Sequence, residues 1–310
     1  MILRVLMVKQ KSFDIAFNRE FECEYGVMVQ LSPMIRRIVA NNPGPYTFKG
    51  TGTYIIGSGK VAVIDPGPYI REHVDAMLLS LKDEEITHQL ITHTHIDHSP
   101  AARLVKDRTG AKTYGFGPHG SGKYGKGYTV EAGGDMEFAP DYLLADGDTV
   151  KGDNWSINCV HTPGHTSNHL CFHLAEENVL FPGDHVMGWS TTVVAPPDGN
   201  MSDYMESLRN LSRRNDRIYY PTHGAPIKSP QKFVRGILVH RKMRETQILD
   251  CLDRGISTIS QMVAHMYKNL DSRLIGAAKQ SIFAHIIDLS DRRIIKPRDE
   301  ISIESVYSRI

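Results

Sequence analysis

The chain has 310 residues and a mass of 34.8 kDa, with 41% hydrophobic and 23% charged residues. This composition excludes a disordered, collagen-like or disulfide-dense chain, and the length predicts one large domain or two of ordinary size. No apolar run approaches the roughly 20 residues of a membrane span, and residues 1–17 lack the apolar stretch of a signal peptide. We therefore expect a cytoplasmic protein without a membrane contact.

The formal net charge of +1 is unevenly distributed along the chain. Residues 231–310 carry a net charge of +5, and the first 230 residues carry −4. A basic excess of this size is more often an ordinary solvated surface than a contact with an anionic partner. The four cysteines form no CxxC pair, so we predict free buried thiols rather than a zinc knuckle or a disulfide framework.

The first part of the chain alternates short strands with turns. Residues 53–65 predict a hairpin, because two runs rich in Tyr, Ile and Val flank a turn at 57–60. The apolar pair at 90–91 ends a further strand, and the loop after it reads THTHIDH. A helix is predicted to follow this loop, from Ser99 as its N-cap to Gly110 just beyond its end.

The middle of the chain predicts more strands, each followed by a polar or glycine-rich turn. Residues 115–140 show no periodicity and are long for a connection, which is typical of a loop that covers a site. A helix is predicted over 203–213, with Asp203 and Glu206 as its capping box. The predicted strands are 155–160, 170–174, 179–181 and 217–220.

After the last of these strands the apolar residues recur at helical spacing. One helix is predicted to end at Gly255, and a second begins with a capping box of Thr258 and Gln261. A third covers 282–289, and residues 292–297 predict a short strand pair. Three helices followed by a small ribbon are typical of a winged helix.

Three imidazoles and one carboxylate lie within six residues of the strand-to-helix loop, at His93, His95, Asp97 and His98. The alternation lets His93 and His95 face one point, while Asp97 and His98 face a neighbouring point. Imidazole nitrogen with carboxylate oxygen suits zinc, and also iron or manganese. The alternative is that these are surface histidines of a polar loop. Four potential ligands directly after a buried strand argue against it.

Further candidate ligands lie in similar strand-end positions. His165 follows a Thr-Pro-Gly turn, Asp184 follows Phe-Pro-Gly, and His223 follows Tyr-Pro-Thr. Proline and glycine fix such turns and let the backbone approach a ligand closely. Because one loop cannot complete two metal shells, we predict that these three residues join the cluster.

Five ordered motifs between Gly50 and Pro226 resemble those of the metallo-beta-lactamase superfamily of two-metal hydrolases: IDPGP, THTHIDH, HTPGHT, FPGDH and YPTHG. The resemblance implies an αββα sandwich with its site at one rim of the two sheets. It also implies one metal bound by three histidines, a second bound by one aspartate and two histidines, and a bridging aspartate. In that order, the implied ligands are His93, His95 and His165, then Asp97, His98 and His223, and then Asp184.

Within the superfamily the sequence is similar to the beta-lactamase-like protein 2 group, because GDHVMGWSTTVV, DYMESLRNL and a C-terminal winged helix follow that group's arrangement. The group includes single-strand-selective endoribonucleases. We predict an α+β fold, with a four-layer αββα hydrolase domain at 1–229 and a small winged-helix domain at 230–310.

Two divalent ions would supply the chemistry, because a water that bridges them loses its proton near neutral pH and becomes the nucleophile. A metal also polarises the carbonyl or phosphoryl group that this nucleophile attacks. We predict two Zn²⁺ per chain, with iron or manganese as alternatives. Asp97 is predicted both to bind a metal and to act in catalysis, by orienting the bridging hydroxide or taking its proton. Whether the chain forms a homodimer is left open.

Three functions are compatible with these residues. The favoured one is hydrolysis of an ester, thioester or lactone, which needs only the complete ligand set. The alternative is a single-strand-selective endoribonuclease, in which the basic C-terminal segment binds the phosphates of single-stranded RNA. A non-enzymatic nucleic-acid-binding regulator is disfavoured because no ligand position is lost.

Residues near the cluster have supporting or structural predictions. Asp65, at the end of a buried strand, is expected to hold a ligand loop rather than to bind a metal itself. His185 is expected to be buried, and His119 to be exposed to solvent. Thr191 and Thr192 either line the pocket or belong to an ordinary strand.

Overall fold

The computed structural model describes residues 15–120, 133–268 and 270–310. Two β-sheets pack face to face, and helices cover the outer face of each sheet. The predicted αββα sandwich is therefore confirmed, as is the α+β class. A smaller helical unit with a two-stranded ribbon follows it.

The first sheet has seven strands in chain order. Strands β3 (Gly52–Ile56) and β4 (Lys60–Ile64) are antiparallel and form the predicted hairpin. Successive side chains of a strand point to opposite faces, so Ala62 faces the second sheet while Val63 faces the helices. The other strands are β1 (Val29–Ser32), β2 (Ile35–Val39), β5 (Glu85–Leu90), β6 (Lys112–Gly115) and β7 (Tyr142–Leu143).

Within the described part of the chain, the second sheet has five strands; its last two strands in chain order are parallel, and its other neighbours are antiparallel. Its inner face carries Phe172 and Phe181, which pack against Tyr54 and Ile64 of the first sheet. The strands are β8 (Thr149–Lys151), β9 (Ser156–His161), β10 (Leu170–Leu174), β11 (Val179–Phe181) and β12 (Ile218–Tyr219).

Two helices, α1 (Arg71–Ser80) and α2 (Ala101–Thr109), pack on the first sheet. The second sheet is covered by α3 (Met201–Ser212) and by the first half of α4 (Pro230–Asp253). Gly110 ends α2 in the left-handed conformation, with φ 74°, as predicted.

Two predicted helix starts are wrong. The hydroxyl of Ser99 does not cap α2 but donates to Asp135 (2.7 Å), and Pro100 occupies the N-cap position. Helix α3 begins before Asp203, because the side chain of Asn200 accepts the hydrogen bond of the Asp203 amide (3.0 Å). Glu206 pairs with Arg209 rather than completing a capping box.

The C-terminal unit contains α5 (Ile259–Met266), a 3₁₀ turn at Ser272–Leu274, and α6 (Ile275–Asp291). The capping box of Thr258 and Gln261 is present as predicted. The ribbon, however, pairs β13 (Ile295–Pro297) with β14 (Tyr307–Arg309), so the strand pair predicted within 292–297 is wrong.

Helix α4 belongs to two hydrophobic cores. Val234 and Ile237, in its first half, pack with α3, whereas Ile248 and Cys251, in its second half, pack with α5 and α6. The division into domains at residue 229 therefore stays a prediction, since the helix that begins at Pro230 is shared.

The described cysteines are all free; three are buried as predicted, and Cys23 is half-buried. Among the described residues, none of the helices combines the length and the apolar character needed to cross a membrane. The predictions for residues 1–14 and for 121–132 of the long loop lie outside the described residues.

Candidate metal centre

The loop between β5 and α2 is fixed from both sides. The Thr92 carbonyl accepts a hydrogen bond from Leu170 of the second sheet (2.7 Å), and the Thr94 carbonyl accepts one from Asp135 (2.7 Å). Ile96, on the same loop, donates to the Gly133 carbonyl (2.9 Å). The loop is therefore clamped between the sheets and the described end of the long loop, at the rim where the strands end.

The first candidate group brings together His93, His95 and His165. His95 Nδ1 lies 3.0 Å from His93 Nε2 and 3.1 Å from His165 Nε2. Zn–N bonds of about 2.0–2.1 Å give nitrogen–nitrogen separations of about 3.3 Å in a tetrahedral site, so this spacing fits three ligands of one ion.

Hydrogen bonds fix which ring nitrogen faces the group. His165 Nδ1 donates to the Val193 carbonyl (2.7 Å). His93 Nδ1 donates to the Thr92 hydroxyl oxygen (3.0 Å), because that hydroxyl uses its proton to reach Asp65 (2.7 Å). In both rings Nε2 therefore carries the lone pair that a metal requires.

The second candidate group contains Asp97, His98, Asp184 and His223. An Asp97 carboxylate oxygen lies 3.1 Å from His223 Nε2 and 3.4 Å from His98 Nε2. His223 Nδ1 donates to the Gly50 carbonyl (3.0 Å), which again directs Nε2 into the group.

Asp184 lies between the two groups. Its carboxylate oxygens are 3.4 Å from His223 Nε2 and 3.6 Å from His98 Nε2 in the second group. The same carboxylate is 4.0 Å from His165 Nε2 in the first group. This is the position that a carboxylate shared by two cations would occupy.

The histidines of the two groups have different electrostatic surroundings. Burial and the neighbouring imidazoles of His98 and His95 hold the pKa of His93 well below its ordinary value. Burial also opposes protonation of His98 and His223, yet the carboxylates of Asp97 and Asp184 raise the pKa of His98 well above its ordinary value and that of His223 to about 10. The second group therefore stabilises positive charge.

Asp65 holds two ligand-bearing loops at once. Its carboxylate accepts hydrogen bonds from the Thr92 amide (2.8 Å), the Thr92 hydroxyl (2.7 Å) and the Thr222 hydroxyl (3.3 Å). It also accepts one from His98 Nδ1 (2.9 Å), which leaves His98 Nε2 facing the group. Asp65 thus lies behind the ligands, where the sequence predicted it.

Three ligand atoms of the second group make no hydrogen bond of good geometry with the described residues, although they lie 3.1–3.4 Å from one another or from the Asp97 carboxylate. His98 Nε2, His223 Nε2 and Asp184 Oδ1 are all buried and unpaired in this sense. Buried polar atoms without partners are costly, so their convergence on one point fits a cation at that point. Together the two groups could hold two divalent ions.

Sequence comparison agrees with this arrangement. Residues 47–223, more than half of the chain, match the profile of the Metallo-beta-lactamase superfamily. The chain belongs to the metallo-beta-lactamase superfamily. It is a hydrolase of that superfamily, and residues 258–301 match the beta-lactamase associated winged helix domain. The predicted family and the predicted winged helix are therefore confirmed.

Relatives of this superfamily member span most of its length. A protein named atrochrysone carboxyl ACP thioesterase from Aspergillus terreus is 32% identical over 274 residues, covering 83% of this chain and 79% of the relative. A beta-lactamase-like protein 2 homolog from Caenorhabditis elegans is 32% identical over 227 residues, covering 72% of each chain. A metallo-beta-lactamase family protein from Thermus thermophilus shares the fold, with a TM-score of 0.73 at 21% identity, over 91% of this chain and 100% of that one.

All seven ligands predicted from the sequence lie in the two candidate metal-binding groups. His185 is fully buried, as predicted. His119 is also buried, with its Nδ1 2.9 Å from the Thr94 hydroxyl, so the prediction that it is exposed is wrong. Thr191 and Thr192 lie in no strand.

Three features of the site were missed because the sequence gives no local signal for them. The carbonyls of Gly50 and Val193, which orient His223 and His165, carry no side-chain information. The third is Asn168, whose amide donates to the Thr94 hydroxyl (2.8 Å) and so supports the ligand loop.

A stacked aromatic pair lies beside Gly224, the residue that follows His223. The rings of Phe48 and Trp189 are stacked, 4.8 Å apart, and the Trp189 indole lies so close to Gly224 that a Cβ there would be 3.2 Å from it. Ile96, between two candidate ligands, is 57% exposed. The aromatic pair and the exposed Ile96 are therefore apolar groups close in the chain or in space to residues next to candidate ligands.

Proposed function

We propose that this hydrolase uses two divalent metal ions, most readily Zn²⁺, to cleave an ester, thioester or lactone, with thioesters as the first choice. The observation that carries the proposal is the set of seven oriented donor atoms in two adjacent groups. The name thioesterase on several relatives of more than 30% identity favours thioesters among the three bonds.

One ion would be held by the three histidines of the first group, and the other by Asp97, His98 and His223, with Asp184 shared. When bound, such ions acidify a water molecule and polarise the carbonyl group whose carbon is attacked. Nitrogen with carboxylate oxygen is the donor set of zinc, with iron or manganese as the alternatives.

The residues of the chain position the water and the substrate. Burial opposes ionisation of Asp97, but His98 and His223 keep its pKa well below the ordinary value, so its carboxylate is charged at neutral pH. The Asp97 side chain is 20% exposed, against 11% for Asp184, so it can accept a hydrogen bond from the attacking water at a carboxylate oxygen.

The stacked rings of Phe48 and Trp189 would contact an apolar acyl group. A cysteine nucleophile is disfavoured by the state of the buried thiols. Burial raises the pKa of Cys159 and of Cys171 to about 12, so neither is a thiolate at neutral pH.

The test is a panel of four substrates: an acyl thioester, a lactone, a chromogenic beta-lactam and a single-stranded RNA, each with and without chelator. We expect thioester turnover that chelator abolishes and added zinc restores. Asp97→Asn should lower kcat strongly, whereas Asp141→Asn, at a surface carboxylate that accepts from Thr113 and Lys106, should not. Full thioester activity in excess chelator would refute the mechanism.

The endoribonuclease alternative is favoured by three exposed cationic residues of the C-terminal unit. Arg293, Lys296 and Arg298 are exposed and make no ion pair with the described residues, whereas Arg292 pairs with Glu245 (3.0 Å) and with a second carboxylate on α6. Each phosphate contact with single-stranded RNA contributes a slope of about 0.7 to a log–log plot of affinity against salt. Lys296→Glu should reduce that slope if RNA is the substrate, and the absence of RNA binding at low salt would exclude this function.

Location and self-association are also proposals. Free buried cysteines are typical of proteins in a reducing compartment, which supports a cytoplasmic location for this protein. Cell fractionation would test this, and recovery with a secreted or membrane fraction would contradict it. Sedimentation of the purified chain would show whether it is a homodimer.

A further inference from the structure

Arg241 of α4 is a buried arginine with an unusual set of partners. It is 2% exposed, and none of the described carboxylates lies within ion-pair distance of it. Its Nη2 donates to the Thr192 carbonyl (2.5 Å), and its Nη1 donates to the Ser281 hydroxyl of α6 (3.2 Å). Its guanidinium lies 5.1 Å from the centre of the Tyr204 ring of α3.

A buried charge without a counter-charge is expensive, so these contacts must be specific for the arginine to remain buried. The planar guanidinium donates in two directions at once, which a lysine cannot do in the same geometry. Arg241 therefore joins the C-terminal helix α6 to the segment that follows the Asp184 turn.

That segment orients a candidate ligand. Thr192 and Val193 lie in no helix or strand, so no ladder of backbone hydrogen bonds fixes them. The Val193 carbonyl accepts from His165 Nδ1 (2.7 Å), and the Thr192 hydroxyl oxygen lies 3.2 Å from the same nitrogen. The His165 ring is thus set by two consecutive residues, one of which is held from behind by Arg241.

We propose that Arg241 is a positioning residue through which the C-terminal helices fix His165 toward the first metal. The inference rests on the proposed two-metal centre. If Arg241 has this role, the C-terminal unit contributes to metal affinity at the group of His93, His95 and His165. Its role is then not limited to contacting the substrate.

The test compares Arg241→Met with Arg244→Met in the full chain. Arg244 lies one turn further along α4, and its guanidinium is 4.4 Å from the centre of the ring of Tyr267, the residue that follows α5. Both variants lose a buried or half-buried guanidinium that packs on an aromatic ring, so Arg244→Met controls for general damage to the helix. Zinc affinity is measured for each ion by competition with a chromophoric chelator, and the stability of the metal-free protein by urea unfolding.

We expect Arg241→Met to bind one of its two ions about 10-fold more weakly, the lower end of the about 10–100-fold range seen when support for a ligand is removed. The other ion, and both ions in Arg244→Met, should bind as in the wild type. In the cobalt-loaded protein, Arg241→Met should change the visible absorption of one ion only, which a loss of stability alone would not produce.

Unchanged affinity for both ions in Arg241→Met, or the same loss in Arg244→Met, would overturn the inference. If Arg241→Met does not fold, Arg241→Lys serves instead, because it keeps the charge but cannot reach both Thr192 and Ser281; wild-type affinity in that variant would overturn the inference equally. A wild-type chain that binds fewer than two ions would refute the proposed centre itself, which keeps the two failures distinct.

Discussion

Asp65→Asn tests whether one buried carboxylate organises the ligands of the second group. Asn has the size of Asp and tolerates the left-handed backbone found here, where φ is 48°. The substitution therefore leaves the turn intact. It changes only the charge and one acceptor of a group that receives hydrogen bonds from Thr92, His98 and Thr222.

The magnitude follows from these contacts. One Asp65 oxygen accepts the Thr92 amide, and the other lies within hydrogen-bond distance of three donors. In the better orientation the new NH₂ faces the Thr92 amide, so one buried N–H loses its acceptor, at about 1–3 kcal/mol in the metal-free protein. Loss of the carboxylate behind His98 should weaken binding of the second ion by about 10–100-fold.

The assay measures zinc affinity by chelator competition and the free energy of unfolding by urea, both on the same preparations. Asp141→Asn is the matched control, because Asp141 also accepts from the amide and hydroxyl of one threonine, Thr113, and from a cationic side chain, Lys106. The control should keep both ions. Wild-type zinc affinity in Asp65→Asn would refute the argument that Asp65 supports His98.

Three other changes have expected outcomes. Asp184→Asn should lose more metal than Asp65→Asn in elemental analysis, because the carboxylate lies within 4.0 Å of both groups; retention of two ions would place the shared ligand elsewhere. Tyr54→Phe should lower the free energy of unfolding by about 1–3 kcal/mol, since the buried Pro221 carbonyl loses its 2.7 Å donor, and an unchanged urea midpoint would contradict this. Burial, with Arg241 nearby, lowers the pKa of His285 to about 3. As the pH falls below about 6.5, His285 is therefore protonated in the unfolded chain before it is protonated in the folded one. The free energy of unfolding then decreases by up to about 1.4 kcal/mol per pH unit. His285→Leu should flatten this decline in the metal-free protein, and equal slopes would show that other groups cause it.

The candidate ligands could be predicted from sequence because each depends on local features. A strand ends, a turn of glycine or proline follows, and the ligand comes next, as at His165 and Asp184. Orientation could not be predicted, because the acceptor that fixes a ring is distant in sequence. His223 and Gly50 are separated by 173 residues.

Some elements were not predicted because the sequence has no local signal for them. Others were misplaced because a tertiary contact uses the residue that would have given the signal. Helix α1 begins after Ile70, which makes no capping bond, and no glycine ends it. Ser99 would cap α2, but Asp135 takes its hydroxyl. Strand β13 pairs with β14, which begins ten residues after β13 ends. The predicted strand pair within 292–297 is wrong because the second strand lies outside that range.

The shared helix α4 determines how the two enzyme functions can be separated. Truncation after Ser229 removes Val234 and Ile237 from the core that also buries Leu208 and Leu211 of α3. Such a truncation exposes the outer face of the second sheet, so both thioester and RNA activities would fall for the same structural reason. Charge reversal at an exposed residue of the ribbon leaves that core intact. A loss of RNA binding in Lys296→Glu with thioester turnover unchanged would therefore identify the C-terminal unit as an RNA contact, whereas a parallel loss of both would identify it as a support of the hydrolase.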